Sequence, residues 1–231
     1  MHGRVSSDPK QNGSGHRSRL RQRLFDGGGK ALLDHELIEY LLALAIPRRD
    51  TKDQAKALIA RYGGIGPLLS ASAETLRREG LSDSVIGALK IAEATALRLL
   101  ETRAEGAPVL SSWDALTDYL HAAMAHSRTE QVRVLFLNAK NMLIANEAMW
   151  NGSVDEASVH VREIISRAIQ LGATALIIVH NHPSGDPTPS NQDIRITQDL
   201  VEAARHMKIT VHDHVIVAAS GRTSMRALGL I

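Results

Sequence analysis

Between residues 173 and 200 the order of side chains dictates a strand, a rigid loop and a capped helix in succession. Ala173-Thr174-Ala175-Leu176-Ile177-Ile178-Val179 is a short apolar run rich in branched residues, placed after a helical pattern that stops at Gly172. Such a run reads as a buried strand. The segment Pro183 to Pro189 holds three prolines and a glycine, so it can neither continue that strand nor begin a regular helix, and it turns the chain back. At Ser190 a helical pattern begins, with Ser190 as N-cap, Asp193 in the first turn, and Ile194, Ile196 and Leu200 following.

The residues at the two joints carry the chemistry. Side chains at i and i+2 of a strand share a face, so His180 and His182 aim two imidazoles at one point, and Asp193 faces them from the helix start. Two histidines and one carboxylate leave a fourth tetrahedral position for water, the ligand count of a catalytic zinc site. Water activated there attacks while a further carboxylate moves protons. Taken singly, His-x-His at a strand end and Ser-x-x-Asp at a helix start are ordinary features; joined in this order they are specific.

The stretch resembles the JAMM (MPN-type) metallopeptidase signature, His-x-His, seven residues, Ser, two residues, Asp. Its form here, His180-Asn181-His182-Pro183-Ser184-Gly185-Asp186-Pro187-Thr188-Pro189-Ser190, resembles the RadC family, with Asn181 where Ser or Thr is usual elsewhere in the superfamily. The resemblance implies that His180, His182 and Asp193 bind zinc and that Ser190 hydrogen-bonds the oxyanion or the bound water. It also implies an α/β fold, a mixed-sheet MPN/JAMM (cytidine-deaminase-like) domain preceded by a small all-α domain.

Glu130, Glu147 and Glu163 are the candidate proton shuttles. Glu163 lies in the first turn of the pattern Val161 to Leu171, where a carboxylate favours the helix dipole. Glu147 lies in the alternating segment Leu143 to Met149 and also reads as a solvated strand position. Glu130 ends a helical pattern that starts near Trp113 and precedes the strand Val132 to Leu137. The JAMM resemblance places the catalytic glutamate at that junction, which favours Glu130; a surface charge is the alternative.

Composition narrows the classes. The chain has 231 residues, 44% of them hydrophobic but only 3% aromatic, so cores rest on aliphatic side chains and few rings could stack on bases. With no cysteine, disulfides and thiolate metal sites are excluded. No apolar run approaches the ~20 residues needed to span a bilayer, and the first residues lack the apolar stretch of a signal peptide, so a cytoplasmic location is expected. The net charge is +2, yet Arg4, Lys10, Arg17, Arg19, Arg21, Arg23 and Lys30 crowd the start.

Four segments are expected. Residues 1–15, rich in Gly, Ser and charge, read as a flexible tail. Residues 16–104 form a helical domain, with helical patterns at Leu32 to Ala45, Lys52 to Tyr62, Pro67 to Ala71, Glu74 to Arg78 and Ser84 to Leu100. Residues 105–109 form a linker, and 110–231 a metallohydrolase domain of helix, two strands joined near Ala139 to Asn141, helix, strand, metal loop, helix and the strand Thr210 to Ala218. The helical half resembles RadC proteins through Gly15-His16-Arg17, Asp34-His35-Glu36-Leu37 and Pro47-Arg48-Arg49-Asp50-Thr51-Lys52.

Within it, Leu76 to Leu89 resembles a helix-hairpin-helix whose turn offers backbone amides to a DNA phosphate. Ser82 replaces the second glycine, and Glu79 and Asp83 oppose an anion. The alternate arginines from Arg17 to Arg23 are a second route to DNA, or a solvated helix start. His212 and His214 alternate along one strand and are expected to share a face; a second metal site is one reading, but the RadC resemblance, which places an Asp-His pair here without making it a zinc ligand, favours a supporting or packing role. His160, just before a helix, stands beside Val161, where relatives often carry proline. The leading function is zinc-dependent cleavage of an amide or isopeptide bond in a protein or peptide substrate; the alternatives are a DNA-associated repair or recombination accessory whose metal is structural, and a partner-binding scaffold, against which the complete ligand set argues. No membrane partner is expected.

Overall fold

A computed structural model describes residues 12–104, 108–109, 113–152 and 161–231. His160, residues 1–11 of the expected tail and residues 105–107 of the expected linker lie outside the described residues. The chain divides into two compact units, Met1–Ala94 and Thr95–Ile231.

In the first unit, helix α1 spans Asn12–Gly27, so the last residues of the expected tail are helical. It is followed by α2 (Asp34–Ala45), α3 (Lys52–Tyr62), α4 (Ile65–Ser70) and α5 (Ala73–Arg78). The helix α6 (Asp83–Ala104) contains the division between the units. Ile38, Leu42, Leu58, Leu68, Leu76 and Leu89 form the core of this unit. Side chains of the sequence motifs hold the helices in register. His16 Nε2 lies 2.9 Å from Oε1 of buried Glu39, though without hydrogen-bond alignment. Thr51 Oγ1 donates to Glu39 O at 2.9 Å, and Arg17 caps the end of α2 by donating to the carbonyls of Ile46 and Arg49.

The second unit is a three-layer α/β domain. Its elements are α7 (Trp113–Met124), β1 (Glu130–Leu137), β2 (Leu143–Gly152), α8 (Val161–Gln170), β3 (Ala175–Asn181), α9 (Asn191–His206), β4 (Thr210–Ala218) and β5 (Gly221–Ser224). The strands form one sheet in the order β2-β1-β3-β4-β5. Only β3 and β4 run parallel, joined by α9; the other pairs are antiparallel. All seven β3 residues are buried, which explains its unbroken apolar run: a central strand covered on both faces has no solvent side.

Alternate residues of the strands feed two cores. Val134, Phe136, Leu176 and Ile178 pack with Ile164 and Ala168 of α8 and Leu200 and Ala204 of α9. Leu135, Leu137, Ile177, Val179, Val215 and Val217 pack with Leu116, Leu120 and Met124 of α7. Burying each of these large side chains contributes on the order of 1.5–3 kcal/mol.

Three expectations need correction. The α7 helix ends at Met124, so Glu130 does not end a helix but opens β1. β5 was not anticipated, because Gly221-Arg222-Thr223-Ser224 has no apolar run and only partial burial. Finally, His212 and His214 do not share a face. The pairing of β3 with β4 steps from Leu176↔Val211 to Ile177↔Asp213, a bulge that skips His212. His212 Nε2 then bonds Asn141 Oδ1 at 2.7 Å, while His214 reaches His180.

Candidate metal centre

The site forms beyond the carboxyl end of β3, where the first turn of α9 returns to the sheet. His180 is the penultimate residue of β3 and is 1% exposed. His182 follows the strand, yet its N–H still donates to Val217 O at 2.9 Å, extending the ladder to β4. The proline-rich loop then turns sharply. Gly185 donates its N–H to His182 O at 3.1 Å and adopts a φ of 86°, which a side chain would strain. Asp186 closes the loop by accepting from Thr188 N and Oγ1 at 3.0 and 2.7 Å.

Ser190 caps α9 in a reciprocal box. Its Oγ accepts from Asp193 N at 3.1 Å, and its own N–H donates to Asp193 Oδ2 at 2.7 Å. The carboxylate is thereby locked with Oδ1 3.3 Å from His180 Nε2 and Oδ2 3.5 Å from His182 Nε2. The two imidazole Nε2 atoms lie 2.8 Å apart. His180, His182 and Asp193 form a group that could hold a metal ion.

Counting protons shows how well the donors suit a cation. His182 Nδ1 faces Asp186 O at 2.8 Å, and a carbonyl only accepts, so this nitrogen carries the hydrogen. In the neutral ring Nε2 therefore presents a lone pair. A lone pair from His182, a ring nitrogen of His180 and a carboxylate oxygen converge, a set that suits zinc and the other divalent ions that accept imidazole and carboxylate.

The electrostatics agree. Burial pushes His180 down to about 4, overcoming the opposing pull of Asp193, so the ring is neutral at neutral pH. His214, wholly buried, is also held well below its ordinary value by desolvation. Asp193 is kept ionised against its desolvation by hydrogen bonds from His182 and Ser190 and by the nearby His180. His182 is shifted up, chiefly by its hydrogen bond with Asp193.

Glu130, Val132, Pro183, Ser184, Gln192 and Ile196 line one cleft of about 610 Å³ with these residues and Ser190. Val132 pairs with His180 across β1 and β3, and Glu130 lies two residues before Val132 on the same strand. Partial burial and the charge of Asp193 raise the carboxyl of Glu130, opposed by His182. The other glutamates are elsewhere. Glu147 is gripped by the Arg167 guanidinium in a two-pronged pair at 2.5 and 2.8 Å, and Glu163 is exposed in the first turn of α8.

Asn181 and Thr197 gave no clear signal in the sequence, and for His214 only a supporting or packing role was expected. Asn181 points away from the flanking histidines: its Oδ1 accepts from Gln131 N at 2.8 Å and its Nδ2 donates to Thr129 O at 3.1 Å. Thr197 and His214 stand behind the ligands, with His214 Nε2 2.7 Å from His180 Nδ1 and Thr197 Oγ1 2.6 Å from His214 Nδ1. His-Asn-His gives no hint of the first contact. The others join residues 34 and 17 positions apart, which only the bulged register of β4 brings together.

Several arginines in or beside the two proposed DNA routes make ion pairs or hydrogen bonds within the protein. Arg77 pairs with Asp83 at 2.9 Å, Arg61 with Glu79 at 3.0 Å, and Arg78 with Glu74. In α1, Arg17 is committed to α2 and Arg23 to Glu36 at 2.7 and 2.9 Å. Alternate positions on a helix diverge rather than forming a stripe, so Arg19 and Arg21 point apart.

A mixed sheet between helices, with a His-x-His strand end facing a capped carboxylate, defines a JAB/MPN-type domain. Comparison with known proteins agrees. A profile described as the RadC-like JAB domain matches residues 110–230. A UPF0758 protein of Rhodobacter capsulatus is 47% identical over 213 residues, covering 92% of this chain and 100% of that protein. Another, from Ruegeria pomeroyi, is 47% identical over 217 residues, covering 94% of this chain and 97% of the relative. The chain belongs to the RadC family.

Proposed function

We propose that this protein is a zinc-dependent hydrolase that cleaves an amide or isopeptide bond of a protein or peptide, with His180, His182 and Asp193 as zinc ligands. The observation that carries the reading is the convergence of the three donors within one cleft that also holds Glu130. Zinc in that position supplies Lewis acidity, polarising the scissile carbonyl and acidifying water.

The residues divide the remaining work. Glu130, with its carboxyl raised by burial and by Asp193, takes the proton of the attacking water and passes it to the departing nitrogen. Ser190 Oγ spends a lone pair on the Asp193 N–H, which leaves its hydroxyl hydrogen to donate to the carbonyl oxygen as negative charge develops. Val132, Pro183 and Ile196 give the cleft apolar walls beside the reacting groups.

A neutral amide suits this cleft better than a phosphodiester. None of the described lining residues is Lys or Arg, whereas Glu130 and Asp193 are acidic, and a nucleic-acid backbone needs the reverse. The test is turnover of a fluorogenic peptide and isopeptide library by the zinc-loaded protein and its Glu130→Gln variant. Loss of at least ~100-fold in kcat, with zinc retained, supports the assignment; equal turnover by both proteins overturns it.

A further inference from the structure

Behind the metal centre a buried chain of hydrogen bonds runs from His180 to Asp193. His180 Nδ1 meets His214 Nε2 at 2.7 Å, His214 Nδ1 meets Thr197 Oγ1 at 2.6 Å, and Thr197 Oγ1 lies 2.5 Å from the carbonyl oxygen of Asp193. The three residues in it, His180, His214 and Thr197, are 1%, 4% and 1% exposed. Water therefore does not decide which atom donates.

Proton counting gives one direction to the whole chain. The Asp193 carbonyl can only accept, and two acceptors 2.5 Å apart with no hydrogen between them repel, so the Thr197 hydroxyl donates there. Having spent its single hydrogen, Thr197 must accept from His214 Nδ1–H. Neutral His214 then has a bare Nε2, which accepts from His180 Nδ1–H. The consequence reaches the cleft: His180 is left with an unprotonated Nε2 aimed at His182 and Asp193.

We infer that Thr197 and His214 are positioning residues that lock His180 in the Nδ1–H tautomer and so set the affinity of the site for zinc. The inference rests on the metal-site reading. A histidine ligand binds only through an unprotonated nitrogen, and the partner of its other nitrogen selects the tautomer and the ring orientation. Here that partner is a second imidazole, which by itself could serve as donor or acceptor. Only the Thr197 hydroxyl, fixed in turn by a backbone carbonyl of α9, removes the ambiguity. The same carbonyl belongs to Asp193, so the strand ligand and the helix ligand are tied through a path that does not cross the cleft.

The experiment measures zinc affinity by competition with a chromophoric chelator for wild type, Thr197→Val and Thr197→Ser, and records the tautomers of the metal-free proteins from imidazole nitrogen shifts. The expected result is 10–100-fold weaker binding for Thr197→Val, near-wild-type binding for Thr197→Ser, and His180 as the Nδ1–H form in wild type but mixed in Thr197→Val. Wild-type affinity in a folded Thr197→Val protein overturns the inference. A wild-type His180 found as the Nε2–H tautomer also overturns it, whether or not any variant folds. Failure of wild type itself to bind zinc defeats the metal-site reading instead, which keeps the two distinguishable.

Discussion

Asn181 holds both peptide groups that flank Glu130, accepting from the N–H of Gln131 and donating to the carbonyl of Thr129. The residue between the two metal-site histidines thus fixes the start of β1 from the opposite side of β3. One dipeptide step places the ligands on one face and the acid's support on the other.

Replacing this clamp should separate chemistry from metal binding. Asn181→Ala removes the partner of the half-buried Gln131 N–H, while the Thr129 carbonyl keeps the Ser127 hydroxyl at 2.9 Å, so the cost in stability is about 1 kcal/mol. Zinc content should persist, because His180 and His182 keep their own supports. Glu130 would drift, and kcat should fall roughly 10–100-fold with little change in KM. Zinc analysis and steady-state kinetics check this; an unchanged kcat would show that the clamp does not position Glu130.

The Glu147–Arg167 fork ties β2 to α8 away from the cleft. Glu147→Gln should leave zinc content and turnover within about twofold of wild type and lower stability only slightly, since the pair is solvent-screened. A large loss of kcat with normal folding would instead make Glu147 the proton shuttle.

Acid should destabilise the metal-free protein before its carboxylates are protonated. His180 and His214 bind protons less readily folded than unfolded, so the unfolded chain takes up more protons as pH falls below about 6.5. Stability is then lost from that point down to about 4, with His180 alone contributing on the order of 3 kcal/mol. His182 acts in the other direction: its raised value makes a contribution that is full below about 6.5 and lost as pH rises through the folded value. Urea unfolding of the chelator-treated protein at several pH values should show the midpoint falling across this window, whereas a flat midpoint would contradict the buried neutral rings.

These relationships show where the sequence was informative. The positions of His180, His182 and Asp193 were readable because the i, i+2 rule of a strand end and the capping geometry of Ser190 are local. The apolar run of β3 and the periodicities of α3, α8 and α9 were readable for the same reason. The bulge at His212 was not, since it depends on how β4 pairs with β3. Nor was β5, a four-residue edge strand anchored by buried Asp213, which accepts from Ser224 Oγ at 2.5 Å and Arg226 N at 3.0 Å. The motifs of the helical unit suggested a family without a role; His16, Arg17 and Thr51 turn out to brace its helices. Among the described residues no helix is long and apolar enough to cross a membrane.

The central claim is that three side chains hold a zinc ion whose reaction Glu130 serves without binding it. Metal analysis of the protein purified without chelator, beside His182→Ala and Glu130→Gln, tests it most directly. One zinc per chain in wild type and in Glu130→Gln, with almost none in His182→Ala, is the predicted result. Zinc retained at the wild-type level in His182→Ala, or absent from all three, would contradict it.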